Sequence, residues 1–549
     1  MENSTSGAGA GAPPKTGSHT IVRAAGLLMV ANLICRILGL LRESVISIVF
    51  GMNAQTDVYR MAFSIPDILF FLLAGGVFSS AFLPVFSKYF SDGQEDEAWE
   101  VFSTITTFLA LVIGGLVVLG EIFTVPLTHL VAPGFSPEKL KLTAHLTRII
   151  LPGQISFFLG GVFLAVLNAR NHFMALALGP NIYNLGILLG AFLLGPYMGI
   201  EGMTWGVLVG AIVGNFIIPV YCLRRMGAHY HWSLNLRHPG VKRVGKLALP
   251  VLLGLGLPQV YTFINRMFAS TLADGVVSGL ENANKLMQAP LGIVGQSISI
   301  AVFPALVALA ATGKRDEMRH TFSRGLKTLW FLSIPLSLFL MVFATDLIAI
   351  LMQYRKFTAA DTELTAQMLV MLSIGMFAFS SQALLNRAFY AVQNTLTPVL
   401  IGTGTTVIFI GLNFALRGPL QHRGLALAGS LAAMIHVAWM LLALRRHTGL
   451  YVEGVGLSLV KILTASLLAA AAGWGVRFLI ATHLGGFLTA SWQMALANLL
   501  VAGGAGAAIF LGAARLLRCE ELQSALEILR RRRRRASKAP QTPETTAAA

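Results

Sequence analysis

The sequence predicts an all-α integral membrane protein of about 14 transmembrane helices, built as two parallel six-helix lobes with two further helices at the C-terminal end. Three observations carry this: a chain too apolar for a water-soluble core, apolar runs recurring at span spacing, and a second half that repeats the first in register. Of 549 residues, 55% are hydrophobic and 12% charged, and the mean hydropathy is +0.71. Soluble domains carry about 25% charged residues, so this surface needs lipid.

A helix that crosses the hydrocarbon needs about 20 mostly apolar residues. Such runs fall near 21–50, 60–88, 103–125, 143–167, 172–195, 203–223 and 246–272. They continue near 280–310, 328–352, 364–391, 396–416, 424–444, 458–480 and 491–516. The loops between them are short, which leaves no room for a folded soluble domain.

The repeat has an offset near 220 residues. Gly75, Ser79, Ala81 and Pro84 recur as Gly295, Ser299, Ala301 and Pro304. Gly93, Glu97, Phe102 and Ser103 recur as Gly313, Glu317, Phe322 and Ser323, and Leu223-Arg224-Arg225 returns as Leu444-Arg445-Arg446. Matched loops on one basic side require an even number of spans per repeat, and the offset fits six. The expected organisation is a tail at 1–18, an N-lobe at 19–226, a C-lobe at 227–448, spans 13 and 14 at 449–518, and a basic tail at 519–549.

A net charge of +17 raises the question of nucleic acid, and the distribution answers it. Basic residues gather in alternate loops, at Arg224, Arg225, Arg237, Lys242, Arg243 and Lys246, then at Lys314, Arg315, Arg319, Arg324 and Lys327. This is the positive-inside asymmetry, which places those loops and both termini in the cytoplasm. The Arg530–Arg535 run reads as an anchor for lipid headgroups rather than a nucleic-acid arm. Cys35, Cys222 and Cys519 lie too far apart for a metal or redox motif.

Charge inside a span costs at least about 2.5–3.5 kcal/mol for an Arg or Lys near the bilayer centre, so it usually faces a cavity and marks function. The first run holds Arg36, Arg42 and Glu43; the second begins near Asp57 and holds Asp67; the seventh has Arg266; the eighth has Glu281 and Lys285. A cationic chamber is expected, with Arg forks and a Lys point charge suited to a phosphate or pyrophosphate headgroup. Other readings stand beside this one. Arg42 and Glu43 can pair locally, Arg266 and Lys285 can snorkel, Asp57 can cap a helix, and Glu281 can sit at a loop edge. Pro66, Pro84, Pro290 and Pro304 are expected to break or kink their helices, and Gly206, Gly210 and Gly214 to form a close helix–helix contact. No P-loop, H-E-x-x-H, G-x-S-x-G or paired acidic metal motif occurs, so no enzyme is expected. The drive then comes from an ion gradient, the membrane potential or the substrate's own gradient.

These motifs resemble one family. Cys35-Arg36-Ile-Leu-Gly39-Leu-Leu-Arg42-Glu43, Phe50-Gly51, Thr56-Asp57 and Ser79-Ser-Ala-Phe-Leu-Pro84 are similar to the MurJ (MviN) family. So are Leu167-Asn168-Ala169-Arg170, Ala388-Phe389-Tyr390-Ala391, Gln393-Asn394, Thr397-Pro398 and Lys285-Leu-Met287 with Pro290. The resemblance runs from about residue 20 to 515. It implies the MATE-like fold of the multidrug/oligosaccharidyl-lipid/polysaccharide exporter superfamily. It also implies flipping of lipid II, the undecaprenyl-pyrophosphate-linked peptidoglycan precursor, across the bacterial cytoplasmic membrane. Carried over by position, Arg36, Arg42 and Asp57 match family residues, and Lys285 stands where an arginine is expected. Phe70 replaces an arginine, with Arg266 as a candidate substitute for the lost charge, and Asn284 and Gln288 replace an Asp and a Glu. The candidate substrate residues are thus Arg36, Arg42, Lys285, Arg266, Asp57, Glu43, Asn284 and Gln288. Some family members bind Na⁺ between spans 7, 11 and 12, which makes Asn265 and Asn413 ligand candidates; Na⁺, H⁺ and the membrane potential are the candidate drives. Competing classes are a flippase for another polyprenyl-pyrophosphate glycan, a cation-coupled drug antiporter, which calls for an acidic cavity, and a scaffold for cell-wall enzymes.

Overall fold

The computed structural model describes residues 18–73, 81–170, 172–255, 257–484 and 491–523, and among these every regular element is a helix. Three sequence-based expectations lie outside the described residues: the tail up to residue 17, repeat positions 75–80, and the Arg530–Arg535 run.

The chain opens with α1 (Ser18–Phe50), α2 (Ala54–Ala62), α3 (Ser64–Leu73), α4 (Leu83–Ser91) and α5 (Glu95–Ile122). Next come α6 (Thr124–Val131), α7 (Pro137–Ile150), α8 (Gly153–Ala169), α9 (Phe173–Leu189), α10 (Gly195–Met198), α11 (Ile200–Ile212) and α12 (Ile218–Arg225). The second half has α13 (Pro239–Leu255), α14 (Leu257–Ala269), α15 (Val276–Ala311), α16 (Arg315–Met352), α17 (Ala359–Ile374) and α18 (Met376–Ala391). It closes with α19 (Leu396–Thr448), α20 (Val455–Leu484), α21 (Ser491–Ala497) and α22 (Gly503–Leu516). Short π-helical turns join α9 to α10, α11 to α12 and α21 to α22.

Among the described residues nine helical segments are long and apolar enough to cross a membrane, and the pair α17–α18, bent by 45°, makes a tenth. One of them, α19, runs 53 residues, about 80 Å of helix against a hydrocarbon core of about 30 Å. It turns at Gln421 (φ 48°, ψ −125°), so its two limbs carry the expected spans 11 and 12.

The proline expectation holds only in part. Pro66 lies just past the break at Phe63 and Pro84 in the first turn of α4, whereas α15 continues through Pro290 and Pro304. A proline removes one hydrogen bond from a helix but need not end it when neighbouring helices support the backbone.

The backbone packs into two compact units. Of the described residues, the first takes those up to Arg42, Leu69–Ile122 and Arg148–Leu253, and the second takes Glu43–Ile68, Phe123–Thr147 and the chain from Gly254 onward. Segments 43–68 and 123–147 therefore group with the C-terminal half rather than with the N-lobe that sequence order suggests.

In the first unit, α9 and α11 meet through glycine. A methyl group at Gly186 would lie 2.6 Å from Gly210 Cα, and one at Gly190 would lie 2.7 Å from Gly206 Cα. Only hydrogen fits there, as in small-xxx-small packing. The second unit has a core around Phe322, Leu326, Trp330, Phe389, Met440 and Leu444.

The repeat is written into both units. In the first, the His231 N–H donates to Ser103 Oγ at 3.2 Å; in the second, the Glu453 N–H donates to Ser323 Oγ at the same distance. Each time, the loop leaving a lobe's sixth span returns to the start of its third, after a glycine with φ 72° (Gly227 and Gly449).

Candidate functional site

The second unit holds a continuous chain of ion pairs. Glu43, in the C-terminal third of α1, pairs through one carboxylate oxygen with Arg60 of α2 and through the other with Lys285 of α15. Lys285 Nζ lies 3.9 Å from Glu281 one turn back on the same helix. Glu281 takes Arg266 of α14 at 2.7 Å, and Arg266 Nη1 reaches Asp67 of α3 at 2.9 Å. Signs alternate from Arg60 to Asp67, so three cations meet three carboxylates. Within this chain the charges balance, and Arg36 and Arg42 of α1 stand outside it. Arg266 and Lys285 do not snorkel: each has carboxylate partners within the unit, and Glu281 sits inside α15 rather than at a loop edge. In low dielectric an unpaired charge costs several kcal/mol, so alternation is what lets six charges share a membrane-embedded bundle.

Local sequence explains how α2 presents Arg60. Asn53 Oδ1 accepts from the N–H groups of Gln55 and Thr56, while Thr56 Oγ1 accepts from the Asn53 N–H at 3.0 Å. This reciprocal cap fixes the start of α2. Arg60, 5% exposed, then donates to Asn282 Oδ1 at 3.1 Å, and Asn282 donates to Ser47 Oγ at 3.0 Å.

Asp57 has a job of its own. Its carboxylate accepts from the Gly275 N–H at 2.6 Å and from the Ser278 N–H at 2.8 Å. Those groups begin α15, so Asp57 caps the helix that carries Glu281 and Lys285, not the helix on which it resides. Both oxygens are thereby engaged, which separates Asp57 from the ion-pair chain. Asn284, half-buried, and Gln288, exposed, flank Lys285 on α15 and also lie outside that chain.

Arg36 and Arg42 belong to the first unit. Arg36 is exposed on α1. Arg42 Nη1 donates to Asn184 Oδ1 at 3.0 Å, and Asn184 donates in turn to the Pro180 carbonyl at 3.0 Å. Phe70 packs edge-on against Phe157, with centroids 5.7 Å apart, so an aromatic contact fills the place the resemblance gives to an arginine.

Asn265 and Asn413 fall on neighbouring helices of the second unit. Tyr261 stacks on Phe409 at 4.0 Å, and Phe268 meets Phe414 edge-on at 4.9 Å, which sets α14 alongside the first limb of α19. The buried oxygens of Tyr261, Asn265 and Asn413 have no hydrogen-bond partner. They are neutral donors of a kind a monovalent cation accepts. Among the described residues no cluster of His, Cys, Asp or Glu could hold a metal ion.

Sequence reasoning missed Arg60, Asn282 and Asn184. Arg60 carried a usable signal, a charge inside the second apolar run three residues after Asp57. The two asparagines carried none, because their roles depend on helices far away in sequence.

A polytopic helical bundle with charges paired inside it is the architecture of a membrane transporter. In fold it matches a multidrug resistance MATE family transporter of the MOP superfamily in its inward-facing conformation, with a TM-score of 0.63 at 15% identity over 77% of this chain and 98% of that one. The match to a lipid II flippase MurJ in an inward closed conformation has a TM-score of 0.73 at 24% identity over 89% of this chain and 98% of that one. The family model for lipid II flippase MurJ matches residues 46–492. The probable lipid II flippase MurJ of Buchnera aphidicola is 31% identical over 413 residues, covering 74% of this chain and 80% of its own length. The lipid II flippase MurJ of Burkholderia cenocepacia is 29% identical over 433 residues, 77% of this chain and 84% of its own. The chain belongs to the MurJ family, and it is a multi-pass membrane protein.

Proposed function

We propose that the chain carries lipid II from the cytoplasmic to the outer leaflet of the bacterial inner membrane by alternating access, with both termini in the cytoplasm. The observation that carries this reading is the family match across residues 46–492, which spans every member of the ion-pair chain except Glu43. The chemistry agrees with a pyrophosphate-bearing headgroup. Lys285, whose side chain is a third exposed, is held by both Glu43 and Glu281, so it can turn toward an arriving pyrophosphate while Arg60 keeps Glu43 paired. Arg36 and Arg42 are the proposed phosphate ligands of the first unit, Arg42 already turned by Asn184. A guanidinium fork suits bidentate phosphate contacts. The protein does no bond chemistry in this reading; its residues bind, exchange partners and release. Tyr261, Asn265 and Asn413 would hold a coupling Na⁺ if an ion gradient drives the cycle, and H⁺ or the membrane potential are the other drives.

The test is genetic and biochemical together. A strain depleted of its own flippase and supplied with this chain should grow, and outward-exposed lipid II should reappear. Growth failure with the protein present in the membrane, or restored export of a different polyprenyl-linked glycan only, would overturn the assignment.

A further inference from the structure

The loop after α12 does more than its counterpart in the repeat. In both units it returns to the third span of its lobe, but in the second unit α20 begins at Val455, directly after the Glu453 contact. In the first unit the chain continues without regular structure from His231 to Asn235 and starts α13 only at Pro239. It is held tightly to α5: Tyr230 Oη bonds Thr107 Oγ1 at 3.0 Å, Ser233 Oγ bonds Thr104 Oγ1 at 2.9 Å, and His231 and His238 pair with Glu100 and Glu97.

Side chains along an extended segment alternate. His231 and Ser233 face α5, while Trp232 and Leu234 point away, 68% and 44% exposed, and Leu236 beyond them is 47% exposed. Tethering to α5 uses none of these three. The strap meets α5 at Thr107 through Tyr230, one residue short of the exposed Phe108, and runs from there back along α5 to Glu97. The surroundings are basic: from Tyr221 to Leu247 there are six Lys or Arg and no Asp or Glu. On α5 the carboxylates of Glu97 and Glu100 are occupied by the two histidines, and the exposed Asp92, Glu95 and Asp96 before them leave the local balance positive.

We propose that this strap is an interfacial membrane anchor, its Trp232–Leu234–Leu236 row seated at the headgroup boundary of an anionic cytoplasmic leaflet. Aromatic residues favour that boundary, and the basic rim complements its charge. A docking protein of acidic character is the competing occupant, but an exposed Trp–Leu–Leu row within a basic segment, tethered at the end of a span where exposed apolar residues begin at Phe108, favours lipid.

The test uses the full chain in vesicles, with Cys35, Cys222 and Cys519 replaced and an environment-sensitive dye on Leu234→Cys or, as a control on the opposite face of the strap, Asn235→Cys. In vesicles containing phosphatidylglycerol, the dye at 234 should shift to the blue. A nitroxide near the lipid headgroup should quench it more than one deep in the acyl chain, and the dye at 235 should stay in water. Vesicles of phosphatidylcholine alone should weaken both effects, as should Arg224→Gln with Arg225→Gln and Arg237→Gln. A dye at 234 that remains in water in both vesicles would overturn the anchor, and equal seating in both would overturn its anionic partner.

Discussion

At the scale of single residues, Glu43 and Arg60 decide how the second unit tolerates its charges. Removing one partner of a buried pair typically costs about 3–5 kcal/mol, because the other charge stays behind. Arg60→Ala should therefore lower the melting temperature of the purified protein clearly, and Glu43→Gln should do the same. The double variant should melt above the value expected from adding the two losses, since neighbours in one network couple by about 0.5–3 kcal/mol. Strict additivity in a thermal-shift series would show that the pair is energetically idle. Asn184 gives a second test. It orients Arg42, and a hydrogen bond to a charged group contributes about 1.5–3 kcal/mol. Asn184→Ala should thus weaken lipid II capture roughly tenfold to a hundredfold with the fold intact. Arg42→Ala should abolish complementation, whereas Lys285→Arg keeps the charge and should sustain it. Capture unchanged in Asn184→Ala would make that contact packing alone.

Among the helices, the C-terminal pair is secured to the second unit by a polar cluster that sequence inspection did not find. Arg477 of α20 pairs with Asp346 of α16 at 2.9 Å and donates to the Val342 carbonyl at 3.1 Å. Asn498, in the π-helical turn after α21, donates to Asp346 at 2.7 Å. Arg477→Leu should leave Asp346 buried with one neutral partner and destabilise the protein, while Asp346→Leu with Arg477→Leu together should recover much of the loss. Unequal melting of the single and double variants would show the coupling, and equal melting would remove it. The reason this cluster was hidden applies widely. Apolar runs announce helices because lipid demands a fixed length, and an isolated charge such as Arg266 announces itself by its cost. Partner choice depends instead on which helices touch, which is why Asp57 was legible as a cap but not as the cap of α15.

At the scale of the whole molecule, the sequence already held the repeat, because two copies of one lobe keep the same structural needs at a fixed offset. Ser103 and Ser323 were visible as a matched pair, and the structure gives each the same task. Lobe boundaries were less legible: short segments such as 43–68 lie early in the chain yet pack with its later part, and no local pattern records that. The even span count per repeat makes a topological prediction that needs no knowledge of the substrate. Loops after spans 2, 6 and 8 must share one side, and loops after spans 3, 5 and 9 the other. Charge assigns the first set to the cytoplasm, since Arg224, Arg225, Lys314 and Arg315 belong to it and positive residues are retained there. Single cysteines at Asp92, Asn235 and Thr312 in a background without the native three should therefore resist an impermeant maleimide in whole cells and react after permeabilisation. Cysteines at Ser136, Gly199 and Arg355 should react in whole cells. Opposite labelling of Asp92 and Thr312 in intact cells, which the 220-residue offset makes equivalent, would require an odd number of crossings between them. The parallel repeat would then fail, because its two copies would face opposite sides of the membrane.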